Sequence, residues 1–145
     1  MSTNTLQSEQ QSPTTTRGRS VATGAMKIGA VVALAITGWV HLMDMSDKFS
    51  EVPYLGIGYG LIVIASIASI VLILRGERRG WMLGGGMCLA TIVGYTLSRT
   101  TGLPASTDDI GNWSETLAIW AGVAEIVMVV LAGVVLFGRQ DAVTS

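Results

Sequence analysis

The stretch Thr116–Phe137 reads TLAIWAGVAEIVMVVLAGVVLF, 22 residues with no basic group and a single acid, Glu125. A helix of about 20 mostly apolar residues, rising ~1.5 Å per residue, is what crosses the ~30 Å hydrocarbon layer of a bilayer. A carboxyl near the middle of such a helix is costly against lipid, so it is expected to face other helices and to be paired, hydrogen-bonded or protonated. The segment therefore sets two expectations together: a membrane span, and a polar contact inside a bundle.

Three further segments meet the same requirement. Residues 25–45 carry Lys27 only at their start, where its long side chain can reach the interface. Residues 54–74 follow Pro53, which opens a helix without interrupting it. Residues 81–98 are the shortest and the richest in glycine. The fold class expected is all-α: a transmembrane four-helix bundle within residues 25–138, with a polar tail at 1–24 and a short cytoplasmic tail at 139–145. Composition agrees, because 13% of the 145 residues are charged, against about a quarter in soluble domains. The tail has no apolar core and reads as disordered rather than as a signal peptide.

Basic residues set the orientation. Arg17, Arg19, Lys27, Arg75, Arg78, Arg79 and Arg139 fall on one side of the predicted spans, and only Lys48 and Arg99 on the other. Cytoplasmic connections are enriched in Lys and Arg, so the expected location is the cell membrane, multi-pass, with both termini cytoplasmic. Asp44, Asp47, Glu51, Asp108, Asp109 and Glu115 make the opposite face acidic. Trp81 is expected to anchor the inner interface, and Tyr54 and Trp113 the outer one.

Composition also limits partners. The net charge of −1 leaves no basic patch for phosphates, which excludes nucleic acid. The lone Cys88 excludes a disulfide framework and a cysteine-based zinc site. The partners expected are the lipid bilayer and either further copies of this chain or a larger membrane complex.

Helices in lipid associate through small residues and polar contacts. Rows at four-residue spacing occur as Gly29, Ala33 and Thr37 leading to His41, as Gly56 and Gly60, as Gly86, Ala90 and Gly94 above Gly80 and Gly84, and as Ala118, Ala121 and Gly122 leading to Glu125. His41 and Glu125 thus share the helix-facing side. The binding candidates are His41, Tyr59, Tyr95, Arg99 and Glu125, which fall at similar depth, with the phenols placed to bond Glu125 and Arg99 to reach partly inward. Each also has a plainer role, in which the acid fixes bundle register, the arginine reaches lipid phosphate and the tyrosines pack. His41, Met43 and Met45 form a soft copper site only if the helix ends there. No catalytic residues, metal site or cofactor are assigned. The glycine run Gly84-Gly85-Gly86 has no preceding strand and no following Lys-Ser/Thr, so it is a packing surface and not a phosphate loop.

Two motifs carry a resemblance. Gly38-Trp39-Val40-His41-Leu42 leads through acids to Val52-Pro53-Tyr54-Leu55-Gly56, and Tyr95-Thr96-Leu97-Ser98-Arg99-Thr100-Thr101-Gly102-Leu103-Pro104 leads to Asp109-Ile110-Gly111-Asn112-Trp113-Ser114-Glu115 and then Glu125. The pattern resembles a group of small bacterial four-helix membrane proteins of uncharacterised function, over nearly the whole chain after the tail. The resemblance implies a topology and a set of typical positions, and no activity. In the second motif Gly102 and Pro104 favour a sharp turn, and Ser114 or Asn112 can cap the last helix.

Three functions fit these features. The first is a non-catalytic accessory or scaffold subunit with a polar cluster in its outer half. The second is a small proton-linked transporter or ligand-binding protein using Glu125, Arg99 and His41. The third is an enzyme with His41 as acid–base group or metal ligand.

Overall fold

The computed structural model describes residues 14–138, and the chain is helical almost throughout. The elements are α1 (Thr14–Glu51), α2 (Pro53–Leu74), α3 (Arg78–Thr100) and α4 (Thr116–Phe137). All four contain stretches long and apolar enough to cross a membrane, which makes this a multi-pass membrane protein. Residues 1–13 and 139–145, including most of the polar tail and the short C-terminal tail, lie outside the described residues.

α1 outruns the apolar segment 25–45 in both directions. Residues 14–24, read as part of the tail, have helical backbone, and residues 46–51, read as a connection, continue the helix. Lys48 and Glu51 pair at 2.9 Å on that last stretch, the i,i+3 spacing that supports a helix end. Val52 alone then separates α1 from α2, and Pro53 supplies the first helical position of α2. At the other end of α2, Gly76 takes φ +79°. Its N–H bonds to Ile73 O at 3.0 Å and that of Glu77 to Leu72 O at 2.9 Å, the paired bonds of a glycine-terminated helix.

Each helix packs on its neighbours in chain order, and α4 closes back onto α1. The start of α1, the α2–α3 connection and the end of α4 therefore lie at one end of the bundle, called here the termini end. The α1–α2 and α3–α4 connections lie at the other, the loop end. Outer faces are apolar: Ile57, Leu61, Ile64 and Ile67 of α2 are all more than half exposed, which suits lipid and not water.

The core fills the termini half, where Ala30, Leu34, Ile73, Trp81, Cys88, Met128 and Ala132 bury one another. The glycine row of α3 that meets other helices is Gly80–Gly84, not Gly86–Ala90–Gly94. A Cβ on Gly80 would stand 2.7 Å from Ile73 N, one on Gly84 2.8 Å from Met128 Cε, and one on Gly85 2.7 Å from Ala132 Cβ, whereas one on Gly86 would meet nothing within 4 Å. That tight approach also turns the Trp81 indole inward to 5% exposure, so Trp81 is a core residue and not an interfacial anchor.

Candidate functional site

At the loop end the helices part around a cavity of about 390 Å³. Its walls run from Met87 and Glu125 up to Leu103 and Asp109, and all four helices contribute. His41, Tyr59, Tyr95, Arg99 and Glu125 all line it. Their contacts with one another differ in part from the pattern expected.

Glu125 is 3% exposed, on the α4 face that also carries Ala121, Ala124 and Met128. Its Oε1 has no hydrogen-bond partner and lies 4.0 Å from Nε2 of His41. Thr91 and Cys88 of α3 also face this carboxyl, and the Thr91 hydroxyl donates to Cys88 O at 2.8 Å. The phenols do not reach Glu125 but surround its neighbours. Tyr59 packs edge-on against His41 with ring centres 4.8 Å apart, and Tyr95 packs edge-on against Trp113 at 5.9 Å.

His41 stands one turn beyond Thr37 on α1, and its Nδ1 is 2.8 Å from Thr37 O. A carbonyl oxygen only accepts, so Nδ1 carries a proton and donates it. Nε2, the atom facing Glu125, is then either a bare acceptor in the neutral ring or a donor in the imidazolium. Because α1 continues unbroken past this point, Met43 and Met45 point to different sides. Met43 is 48% exposed, Met45 faces α2 beside Gly60, and the copper arrangement does not form.

Arg99 turns away from Glu125 and toward the loop. It is 5% exposed, with Nη1 2.6 Å from Asp109 and Nη2 2.5 Å from Glu115. Its carbon Cζ lies 5.0 Å over the Tyr95 ring, and its own carbonyl accepts from Gly111 N at 2.9 Å. These contacts explain why Glu115, the residue preceding α4, makes no cap with its side chain. The carboxylate is taken by Arg99, and neither Asn112 nor Ser114 replaces it as the cap.

The α3–α4 loop is therefore built onto the bundle. Gly102 leaves α3 at φ +78°. Leu103 and Ser106 then exchange two backbone bonds of 2.9 Å around Pro104 and Ala105, and Tyr54 at the start of α2 donates its phenol to Pro104 O at 2.7 Å. Asp109 also reaches Lys48 of α1 at 3.7 Å. The sequence motifs contained Arg99, Asp109, Glu115 and Glu125, but they did not point to Lys48 or Asp44 as wall residues. For Asp44 the acidic outer connection was the signal available, and for Lys48 its place as one of two basic residues on that side.

Comparison with protein-family models, with curated proteins and with solved structures gives no match for this chain.

Proposed function

We propose that this protein is a proton-linked ligand-binding protein of the cell membrane, with both termini cytoplasmic and the cavity opening toward the outer face. One observation carries the reading: a buried carboxyl and an imidazole nitrogen sit 4.0 Å apart at the base of a cavity. With Nδ1 of His41 engaged by Thr37, a single proton has two seats, Glu125 Oε1 and His41 Nε2. A ligand that interacts differently with the two arrangements, or with the doubly deprotonated pair, couples its binding to proton movement, and the coupling is reciprocal.

The part-exposed Lys48, Asp109 and Glu115 at the rim give protons and ligand a path from solvent. Orientation is supported by the basic residues: among the described side chains, Lys27, Arg75, Arg78 and Arg79 lie toward the termini end. The motif resemblance to small bacterial four-helix membrane proteins fits the same topology and belongs to this proposal.

The test is infrared difference spectroscopy of the purified protein in lipid across a pH series, with Glu125→Gln as control. The expected result is a protonated-carboxyl band that titrates and is missing from the variant. A carboxyl silent over the whole series would make Glu125 a fixed structural bond and overturn the reading. Orientation is tested by single cysteines at Ser106 and Arg75 in a Cys88→Ala background: an impermeant maleimide applied to intact cells should label only Ser106→Cys.

The accessory-subunit reading is favoured by one feature, the open surface at Gly86, where a further helix can approach α3 closely. It differs in its expectation for Glu125→Gln, which an accessory scaffold tolerates without loss.

A further inference from the structure

The cavity wall has an unusual charge pattern. It carries four carboxyl groups, those of Asp44, Asp109, Glu115 and Glu125, against the two basic groups of Lys48 and Arg99. Both basic groups are already engaged. Arg99 holds Asp109 and Glu115, and Lys48 holds Glu51 at 2.9 Å and Asp109 at 3.7 Å. Among the described residues, neither Asp44 nor Glu125 forms an ion pair with a lysine or arginine. Asp44 stands one helical turn beyond His41, whose Nε2 is the 4.0 Å neighbour of Glu125. The two acids thus border one stretch of the cavity, and Glu125 Oε1 is buried there with no hydrogen-bond partner.

The rest of the lining identifies what fits between them. Tyr54, Tyr59 and Tyr95 bring three phenol rings to the walls, alongside Ile62 and Met87. Aromatic faces attract a desolvated cation, and apolar side chains accept the body that carries it. A bare metal ion needs about six or more oxygen ligands close around it, and no group of three His, Cys, Asp or Glu among the described residues is placed to hold one. Anions are repelled by the excess of carboxylates.

We infer that the loop-end cavity binds a monovalent organic cation, an ammonium group bearing an aromatic or apolar body, with the ammonium between Asp44 and Glu125 and the body against the tyrosines. This rests on the proton-linked reading above and names its ligand class. The cation displaces the proton shared by Glu125 and His41, which leaves through the rim. The titratable groups facing Glu125 are His41 of α1 and Cys88 of α3. The others that line the same cavity are Asp44 and Lys48 of α1, Tyr54 and Tyr59 of α2, Tyr95 and Arg99 of α3, Asp109 of the α3–α4 loop and Glu115 just before α4. Of these, Arg99 is held by the loop acids, so Glu125 and His41 are the pair whose proton the cation replaces.

Isothermal titration of the full-length protein in lipid nanodiscs tests this with three probes of one shape: benzyltrimethylammonium, its neutral isostere neopentylbenzene, and phenylmethanesulfonate. The ammonium is expected to bind about tenfold or more tighter than either of the others. Glu125→Gln and Asp44→Asn should each weaken it by about tenfold or more, while Glu77→Gln at the termini end leaves it unchanged. Heats measured in buffers of different ionisation enthalpy should show one proton released per cation in the parent and none in Glu125→Gln.

Equal or tighter binding of the neutral or anionic probe overturns the cation assignment, as does no binding of the ammonium, or equal weakening by Glu77→Gln. In those cases the proton-linked reading still stands if the infrared band of Glu125 titrates. Ammonium binding with no proton release and a silent band would instead retain the cation site and sink the proton link.

Discussion

Arg99→Ala is the substitution whose cost the structure defines best. The guanidinium is 5% exposed and bridges two carboxylates, Asp109 at 24% exposure and Glu115 at 36%. Removing one partner of a fully buried, hydrogen-bonded ion pair costs about 3–5 kcal/mol, because the other charge is left unpaired. Here the orphaned acids reach solvent, so part of that cost is relieved and each behaves partly as a surface group. The stacking of Arg99 on Tyr95 adds about 0.5–1 kcal/mol. The expected loss is then about 2–3 kcal/mol, or a fall in melting temperature of roughly 5–10 °C for a chain of this size. Circular dichroism melting in nanodiscs measures it. Arg99→Lys should recover less than half, since an ammonium cannot present the planar fork that serves two carboxylates at once. A double substitution of Arg99→Ala with Asp109→Asn should cost less than the sum of the two, because the pair is coupled. A melting temperature for Arg99→Ala within about 1 °C of the parent, or full recovery by Arg99→Lys, would refute the view that Arg99 clamps the loop to the bundle.

Two glycines on one helix should respond with opposite sign. Gly80→Ala places a Cβ 2.7 Å from the backbone nitrogen of Ile73 and should destabilise by about 1–3 kcal/mol through overpacking. Gly86→Ala meets open space and should leave the melting temperature unchanged or raise it by the helix preference of alanine, up to about 1 kcal/mol; equal losses at both positions would show that α3 packs on a different face. Ala105 holds φ +58° in the turn after Pro104, a region where a Cβ costs about 1 kcal/mol or more. Ala105→Gly should therefore raise stability in the same melting assay, and a drop would mean that the turn is not under strain.

The four spans were legible because membrane crossing depends on little more than length and apolarity, and Thr116–Phe137 satisfies both. The ends of α1 were not. Residues 46–51 are polar, and hydropathy registers only what lipid solvates; their helicity rests on local pairing, Lys48 with Glu51. His41 and Glu125 were legible as a helix-facing pair from spacing alone. The partners of Arg99 were not, because whether an arginine at a helix end turns inward or toward a loop depends on where the loop acids fold. In α3 two glycine rows were available, and the sequence could not choose between them. Gly80 and Gly84 won because Ile73 and Met128 come from neighbouring helices to meet them, a fact of tertiary packing.

The contrast between the two halves of the bundle has a mechanical consequence. Glycine contacts hold α3 against its neighbours at the termini end, while at the loop end the helices line a cavity. There α1 and α2 stay in close contact, with only Val52 between them and a Cβ on Gly56 standing 2.5 Å from Phe49. The close contacts at Gly80 and Gly84 fix the lower part of α3, so any tilt of that helix turns about them. From Gly84 to Arg99, at ~1.5 Å per residue, the arm is about 22 Å long, so a tilt of about five degrees carries its tip about 2 Å. The Tyr54–Pro104 hydrogen bond and the Arg99 and Lys48 ion pairs oppose such a tilt at the cavity mouth.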